Sequence, residues 1–121
     1  AHHGMFIASP EYSASVTPLL KNAIDWVSRV RERGEPAYAA FKRRAFAIAS
    51  ASPGRSGGLR SLMALRQILE LGCGALVIPE QVAVAQADEA FDDRDSIADS
   101  ATIDLLRAQL ARLVDMARLM M

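Results

Sequence analysis

The chain has 121 residues, of which 51% are hydrophobic and 23% are charged, and its formal net charge is zero. This length predicts a single domain over residues 1–121 with one buried core, and the hydrophobic content excludes a disordered chain. A neutral chain lacks the basic excess that is typical of nucleic-acid binding, and no apolar run is long enough to span a membrane. We therefore expect neither a nucleic-acid partner nor a membrane partner.

The sequence offers few residues for side-chain catalysis. Its one cysteine, Cys73, cannot form an internal disulfide, which favours a reducing, cytoplasmic compartment. The two histidines, His2 and His3, stand together near the start of the chain and are weak evidence for a metal, so we predict no metal site. No serine lies in a nucleophile-elbow pattern. We predict no catalytic side chain, and a reaction on this chain would need a cofactor.

The first predicted unit is a strand, a polar loop and a helix. Gly4–Ala8 is apolar and predicts a short buried strand, which residues 9–15 follow as a loop. Thr17 is typical of a helix N-cap, and Gly34 predicts the end of the helix. A wide apolar band marks residues 16–30, namely Val16, Leu19, Leu20, Ala23, Ile24, Trp26, Val27 and Val30. Such a band predicts a second covering surface, so Trp26 either anchors a partner subunit or packs inside its own domain.

The same pattern recurs in the next part of the chain. Residues 45–50 form an apolar run and predict a second strand. The loop that follows, residues 52–58, carries serines and three glycines, and it opens a predicted helix over residues 59–73.

The last part of the chain predicts one more strand and one more helix. The strand covers residues 75–78 and continues as residues 82–84, with its ladder interrupted at Pro79, which has no N–H to donate. Asp99 or Ser100 is suited to cap the final helix. Apolar residues at steps of three and four predict its buried stripe, namely Ile103, Leu106, Leu110, Leu113, Ala117 and Met120.

Alternating strands and helices with right-handed crossovers predict an α/β fold whose strands are all parallel. We interpret the chain as the C-terminal part of a doubly wound sheet, with three parallel strands and their helices. Domains of this class normally have about five strands, so we expect the first strands to be missing on the N-terminal side. Gly4–Ala8 would then form an exposed edge.

Both loops follow neighbouring parallel strands and therefore flank one crevice, where ligands of open α/β sheets bind. Gly54, Gly57 and Gly58 allow the backbone to approach a flat ligand, although the turn alone can require them. Their spacing differs from the dinucleotide fingerprint, and no Gly-Lys-Ser/Thr of a P-loop follows. In the first loop, Tyr12 is either a cover for a ring or an ordinary loop anchor. Glu11 either accepts hydrogen bonds from a backbone group or an arginine, or it is a surface carboxylate.

Three segments carry a resemblance to a known family. Ser-Pro-Glu-Tyr-Ser-Ala-Ser at 9–15, Leu-Lys-Asn-Ala-Ile-Asp-Trp at 20–26 and Ala-Ser-Pro-Gly-Arg-Ser-Gly-Gly-Leu-Arg at 51–60 resemble the NADPH-dependent FMN reductase family. That family has a flavodoxin-like fold and includes flavin, quinone, azo-dye and chromate reductases. The resemblance extends to about Phe91. It implies FMN and NADPH as cofactors and hydride transfer through FMN to a flavin, quinone or similar small-molecule electron acceptor.

The resemblance also implies which residues bind the cofactor. Those along the isoalloxazine side of FMN are Pro10, Glu11, Tyr12 and Ser13. Those that close the other edge of the crevice are Ser52, Gly54, Gly57 and Gly58. It further implies a homodimer or homotetramer that assembles through the helix of residues 16–30.

The sequence departs from the family pattern in two ways. Ser13 stands where the family usually has asparagine, which shortens or removes one amide contact. The family's first strand and its Gly-Ser-x-Arg phosphate loop are absent, so we expect a truncated domain with weak FMN binding and impaired activity. The alternative is a non-enzymatic oligomerisation fragment that pairs through the edge strand Gly4–Ala8 and the apolar helix.

Overall fold

The computed structural model describes residues 2–121, so Ala1, the first residue of the predicted domain, lies outside the described residues. The strands and helices, in chain order, are β1 Gly4–Ala8, α1 Pro18–Arg29, β2 Ala45–Ala51, α2 Leu59–Gln67, β3 Leu76–Val77, β4 Val82–Val84 and α3 Ser100–Leu119. One π-helical turn, Ile68–Gly72, continues α2. The predicted helix over residues 59–73 is therefore α-helical only in its first part.

Within residues 2–121 the strands form one parallel sheet with β2 at its centre, which confirms the predicted α/β class. β1 pairs with β2 over its whole length. On the other side, β3 pairs with the start of β2 and β4 pairs with its end. The predicted third strand is thus two separate strands, because the chain leaves the ladder around Pro79, as its missing N–H predicts.

Side chains of β2 alternate between two differently packed faces. Phe46 and Ile48 belong to the larger core, which includes residues of α1 and α2. Ala45 and Ala47 face α3, where they pack with Leu113. The small alanine side chains let α3 lie close to the sheet, so helices cover both of its faces.

Helix α1 begins as predicted and ends early. The Thr17 hydroxyl accepts a hydrogen bond of 3.1 Å from the backbone N–H of the third helical residue. The predicted end at Gly34 is wrong, because the helix stops at Arg29 and Val30 is extended. Residues 30–37 are all exposed, so no packing offsets the entropy that a further helical turn would lose.

The outer parts of β1 and α1 are less covered than the sequence predicts. No residue of β1 is buried, and Met5 and Phe6 are 39% and 36% exposed, so the prediction of a buried first strand is wrong. The reason is that β1 lies at the edge of the described sheet. On α1, Trp26 is 70% exposed, which excludes packing inside the described part of the chain. Its role as an anchor for a partner subunit stays a prediction.

Helix α3 is capped by Asp99, whose carboxylate accepts from the Thr102 N–H at 3.3 Å. Of the predicted buried stripe only Leu113 is buried, and most of the other positions are half-buried. Leu110 is 43% exposed, and Gln109 is fully buried in its place. The Gln109 side-chain amide donates to the Ile48 carbonyl at 2.8 Å and to the Glu80 carbonyl at 3.1 Å. These bonds explain why a polar side chain occupies a core position.

Candidate functional site

The first loop, residues 9–15, leaves the carboxyl end of β1 and folds back on itself. It starts on the sheet, where the Ser9 N–H donates to the Ala49 carbonyl at 3.0 Å. Tyr12 and Ser15 then exchange two backbone hydrogen bonds of 2.9 and 3.0 Å. The two residues between them have φ of 49° and 66°, as a type I′ turn requires. The Tyr12 side chain is 57% exposed, so it is free to contact a ligand.

Replacing Ala14 with glycine is expected to stabilise the protein. Ala14 has φ of 66°, a left-handed conformation that a Cβ disfavours by roughly 1–2 kcal/mol. Because glycine also gains freedom in the unfolded chain, the net rise in the free energy of unfolding should be about 0.5–1 kcal/mol, measured by urea titration. Ala108→Gly, at an exposed position within α3, is the matched control and should lower stability by about 1 kcal/mol. Destabilisation by both variants would contradict strain in the turn.

Two of the three glycines of the second loop, Gly57 and Gly58, face the protein's own sheet. Gly57 and Gly58 have φ of 65° and 89°. A Cβ on Gly57 would lie 2.7 Å from the backbone nitrogen of Ala85, and one on Gly58 would lie 2.9 Å from the Ser50 Cβ. A Cβ on Gly54, by contrast, would have its nearest neighbour 3.9 Å away. The close approach that Gly57 and Gly58 permit is therefore to β4 and β2, and this packing together with their positive φ explains both glycines without a ligand.

The backbone of this loop is also fixed to the end of β4 and to the segment that follows it. The Ser52 N–H donates to the Val84 carbonyl at 3.1 Å, and the Ser52 carbonyl accepts from the Ala87 N–H at 2.9 Å. The Gly54 carbonyl accepts from the Gln86 N–H at 3.0 Å. These bonds fix the conformation of the loop over residues 52–58. They use backbone groups of Ser52 and Gly54, two of the residues predicted to bind the cofactor.

Glu11 connects the first loop to the start of α2. Its Oε1 accepts from the Ser61 N–H at 3.0 Å, and its Oε2 accepts from Arg60 Nη2 at 3.1 Å. We name these two contacts the Glu11 bridge. The Glu11 side chain is only 7% exposed, so its interpretation as a surface carboxylate is wrong and its predicted bonds to a backbone group and an arginine are present. A carboxylate at this position also interacts favourably with the positive end of the helix dipole.

An apolar cavity of about 360 Å³ lies at the carboxyl ends of the strands, between the sheet and the start of α3. Its lining includes Phe6, Pro10, Ala49, Ser50, Val84 and Leu106. Of the eight residues predicted to bind a cofactor, only Pro10 lines it. The other seven lie in the two loops, and their contact with a ligand stays a prediction.

Two residues that shape this region were not predicted. Ser50 is buried, and its hydroxyl donates to the Gly57 carbonyl beneath the second loop. Gln86 is fixed to the same loop by its backbone N–H. A serine within the otherwise apolar run of residues 45–50 was a signal for the first, whereas the sequence carried none for the second.

The remaining candidates for chemistry contribute little. Burial raises the pKa of the Cys73 thiol, and the Asp25 carboxylate raises it further, while Lys21 lowers it. The nucleophilic thiolate is therefore disfavoured. Among residues 2–121, no group of three or more His, Cys, Asp or Glu side chains is placed to hold a metal ion. In the same part of the chain, no helix has both the length and the apolar character needed to cross a membrane.

A parallel sheet with helices on both faces, and two connected loops at the carboxyl ends of neighbouring strands, defines an open α/β domain of the ligand-binding class. The family model described as NADPH-dependent FMN reductase matches residues 1–89. The chain belongs to this family. FMN and NADPH, which the family description names, are the cofactors that membership implies.

Individual relatives agree with this assignment. An NAD(P)H-dependent FMN reductase of Pseudomonas aeruginosa is 38% identical over 114 residues, which cover 93% of this chain and 58% of the relative. A quinone reductase of Escherichia coli is 35% identical over 112 residues, which cover 88% of this chain and 54% of the relative. The chain thus spans about half the length of the curated relatives it matches.

A solved structure shares the fold. FerB, a flavoenzyme NAD(P)H:(acceptor) oxidoreductase from Paracoccus denitrificans, superimposes with a TM-score of 0.76 at 26% sequence identity. The superposition covers 96% of this chain and 61% of FerB. The flavodoxin-like α/β fold and the family that the sequence motifs indicated are both confirmed.

Proposed function

We propose that this chain forms part of an NAD(P)H-dependent oxidoreductase that passes hydride through FMN to a flavin, quinone or similar acceptor. The observation that carries the proposal is the pair of loops, joined by the Glu11 bridge, beside an apolar cavity at the carboxyl ends of the strands. The names of the relatives, an FMN reductase and a quinone reductase, support the same chemistry and a quinone-type acceptor.

The residues of this region suit a flat, partly polar ring system. Pro10 and Ala49 give the cavity an apolar wall, which excludes water from a bound ring. Tyr12 is exposed at the first loop and can stack on an aromatic face. The Ser13 and Ser52 hydroxyl groups can donate to or accept from polar ring atoms. When bound, FMN supplies the redox chemistry that the side chains lack.

Gly57 and Gly58 act differently in this proposal from the other predicted residues. Because they face β4 and β2, they would support the site by holding the second loop against the sheet. Gly54, which has open space around it, is the glycine of the loop that can approach a ligand directly.

The experiment that tests the proposal is a titration of FMN fluorescence with the purified chain. We expect saturable quenching with weak affinity, because binding moves the flavin ring from water into contact with protein side chains. Tyr12→Ala should weaken FMN affinity by roughly 3–10-fold, the effect of losing one aromatic contact. Leu71→Ala is the control, because it removes an exposed apolar side chain from the π-helical turn, outside both loops and α1, and should leave the affinity unchanged. A chain that does not quench FMN, or an equal loss in both variants, would contradict the proposed site.

A second candidate function is self-association, and a specific observation favours it. β1 is an exposed edge strand, and the outer face of α1 carries Leu19, Trp26 and Val30 with exposures of 80%, 70% and 63%. We propose that residues 1–121 act as one domain that forms a homodimer or homotetramer through the helix of residues 16–30. Sedimentation velocity should show a defined oligomer that dissociates in the Trp26→Ala variant. A monomeric wild type would refute the proposed assembly.

We also propose a cytoplasmic location, which the free thiol of Cys73 supports.

A further inference from the structure

Helix α2 begins without a cap from its own sequence. Its N-cap residue is Gly58, which has no side chain to accept a hydrogen bond, and its first turn contains no acidic residue. The first N–H groups of a helix need acceptors, and the helix dipole places partial positive charge there. Glu11 supplies both an acceptor and a negative charge, from a position fifty residues earlier in the chain.

The first loop has few other hydrogen bonds to the rest of the protein. Within the described residues 2–121, its links to other segments are the Ser9 N–H bond to Ala49 and the two contacts of Glu11. The remaining bonds of the loop are internal, and the turn between Tyr12 and Ser15 has positive φ at both central residues. Val16 anchors the far end of the loop in the core, and between its two ends the Glu11 bridge is what holds the loop against the rest of the protein.

The other end of the bridge is rigid. The Ser61 hydroxyl donates to the Gly58 carbonyl at 2.7 Å, and the Ser50 hydroxyl donates to the Gly57 carbonyl. The start of α2 is thereby joined to the second loop and, through Ser50, to the central strand. Because Ser61 is joined to the second loop, its bond to Glu11 fixes the Glu11 side chain at a set distance from that loop.

We propose that Glu11 is a positioning residue, which sets the spacing between the first and second loops and so determines the shape of the crevice. This inference rests on the proposed FMN site, because the crevice is where that site lies. In this role Glu11 joins the first loop to the start of α2, where both of its carboxylate oxygens bond to Ser61 and Arg60.

The two contacts of the bridge are unequal. The Arg60 side chain is 65% exposed, and ion pairs with a solvated partner contribute little. The bond from the Ser61 N–H lies in the buried part of the bridge. The position of the loop should therefore depend on the acceptor oxygen of residue 11 more than on its charge. Glu11→Ala, which removes the oxygen, should have a larger effect than Glu11→Gln, which removes only the charge.

The test compares FMN affinity in four variants. Glu11→Ala should weaken affinity about 10-fold, because the loop loses its link to α2. Glu11→Gln retains an acceptor for the Ser61 N–H, and Arg60→Gln retains the whole buried contact, so both should stay within about 3-fold of the wild type. Glu70→Ala is the matched control, because Glu70 also pairs with an arginine, Arg66, but at the other end of α2. It removes a comparable carboxylate away from the two loops and should leave FMN affinity unchanged.

Amide hydrogen exchange gives a readout that does not depend on FMN. Glu11→Ala should increase exchange over residues 9–15 and at Ser61 by about 10-fold, and Glu11→Gln should restore most of the protection. Unchanged exchange in Glu11→Ala would overturn the inference. If the wild type fails to bind FMN, the proposed function fails for this chain, while the exchange data still decide whether Glu11 positions the loop.

Discussion

Replacing Gln109 with leucine is expected to lower the free energy of unfolding by about 2–3 kcal/mol, because a buried carbonyl loses its donor. Ile48 lies in β2 between the residues that pair with β3 and those that pair with β4. Its carbonyl therefore has no ladder partner on that side, and the Gln109 amide takes the place of the missing N–H at 2.8 Å. Leucine preserves the bulk of the side chain and removes this bond, together with the one to the Glu80 carbonyl.

Urea titration with Gln67→Leu as the control measures this effect. Gln67 is an exposed glutamine on α2, so the same change there should alter stability by less than about 0.5 kcal/mol. Removal of the Gln109 Oε1, which is buried without a partner, offsets part of the loss and is included in the expected value. Equal stability of the two variants would show that Gln109 does not support the gap in the ladder.

Gln109 also shows what the sequence can and cannot predict. The interruption at Pro79 follows from the chemistry of proline, and the apolar period of α3 follows from its leucines and alanines. Which side chain fills the gap depends on how α3 is aligned against the sheet, and no local pattern contains that information. The hydrophobic periodicity of α3 consequently predicts Leu110 in the core, where the structure has Gln109.

The two loops likewise show that contacts between distant residues cannot be predicted from local sequence patterns. Strand–loop–helix patterns predicted where they lie and that they share one edge of the sheet, and the local motifs indicated the family correctly. The partner of Glu11 was predicted only as a kind of group, because Ser61 is distant in sequence. The close contact of Gly57 with β4 could not be predicted, since a glycine shows that space is needed and not which neighbour occupies it.

Replacing Gly57 with alanine should destabilise the protein by about 3 kcal/mol or more, the combined effect of backbone strain and overpacking. The new Cβ would lie 2.7–2.8 Å from backbone atoms of residues 83–85, which cannot move without disturbing β4. The positive φ of 65° adds the strain of a left-handed residue that has a side chain. Thermal or urea unfolding measures the loss directly.

Gly34→Ala separates these two contributions. Gly34 has φ of 89°, and no atom lies within 4 Å of the position that a Cβ would take, so alanine there should have only the conformational effect, about 1 kcal/mol. The excess destabilisation in Gly57→Ala then reports the contact with β4. If Gly57→Ala instead unfolds like Gly34→Ala but loses FMN affinity, the glycine serves the ligand and not the sheet. The pair of variants thus decides between the two roles that the spacing of the glycines leaves open.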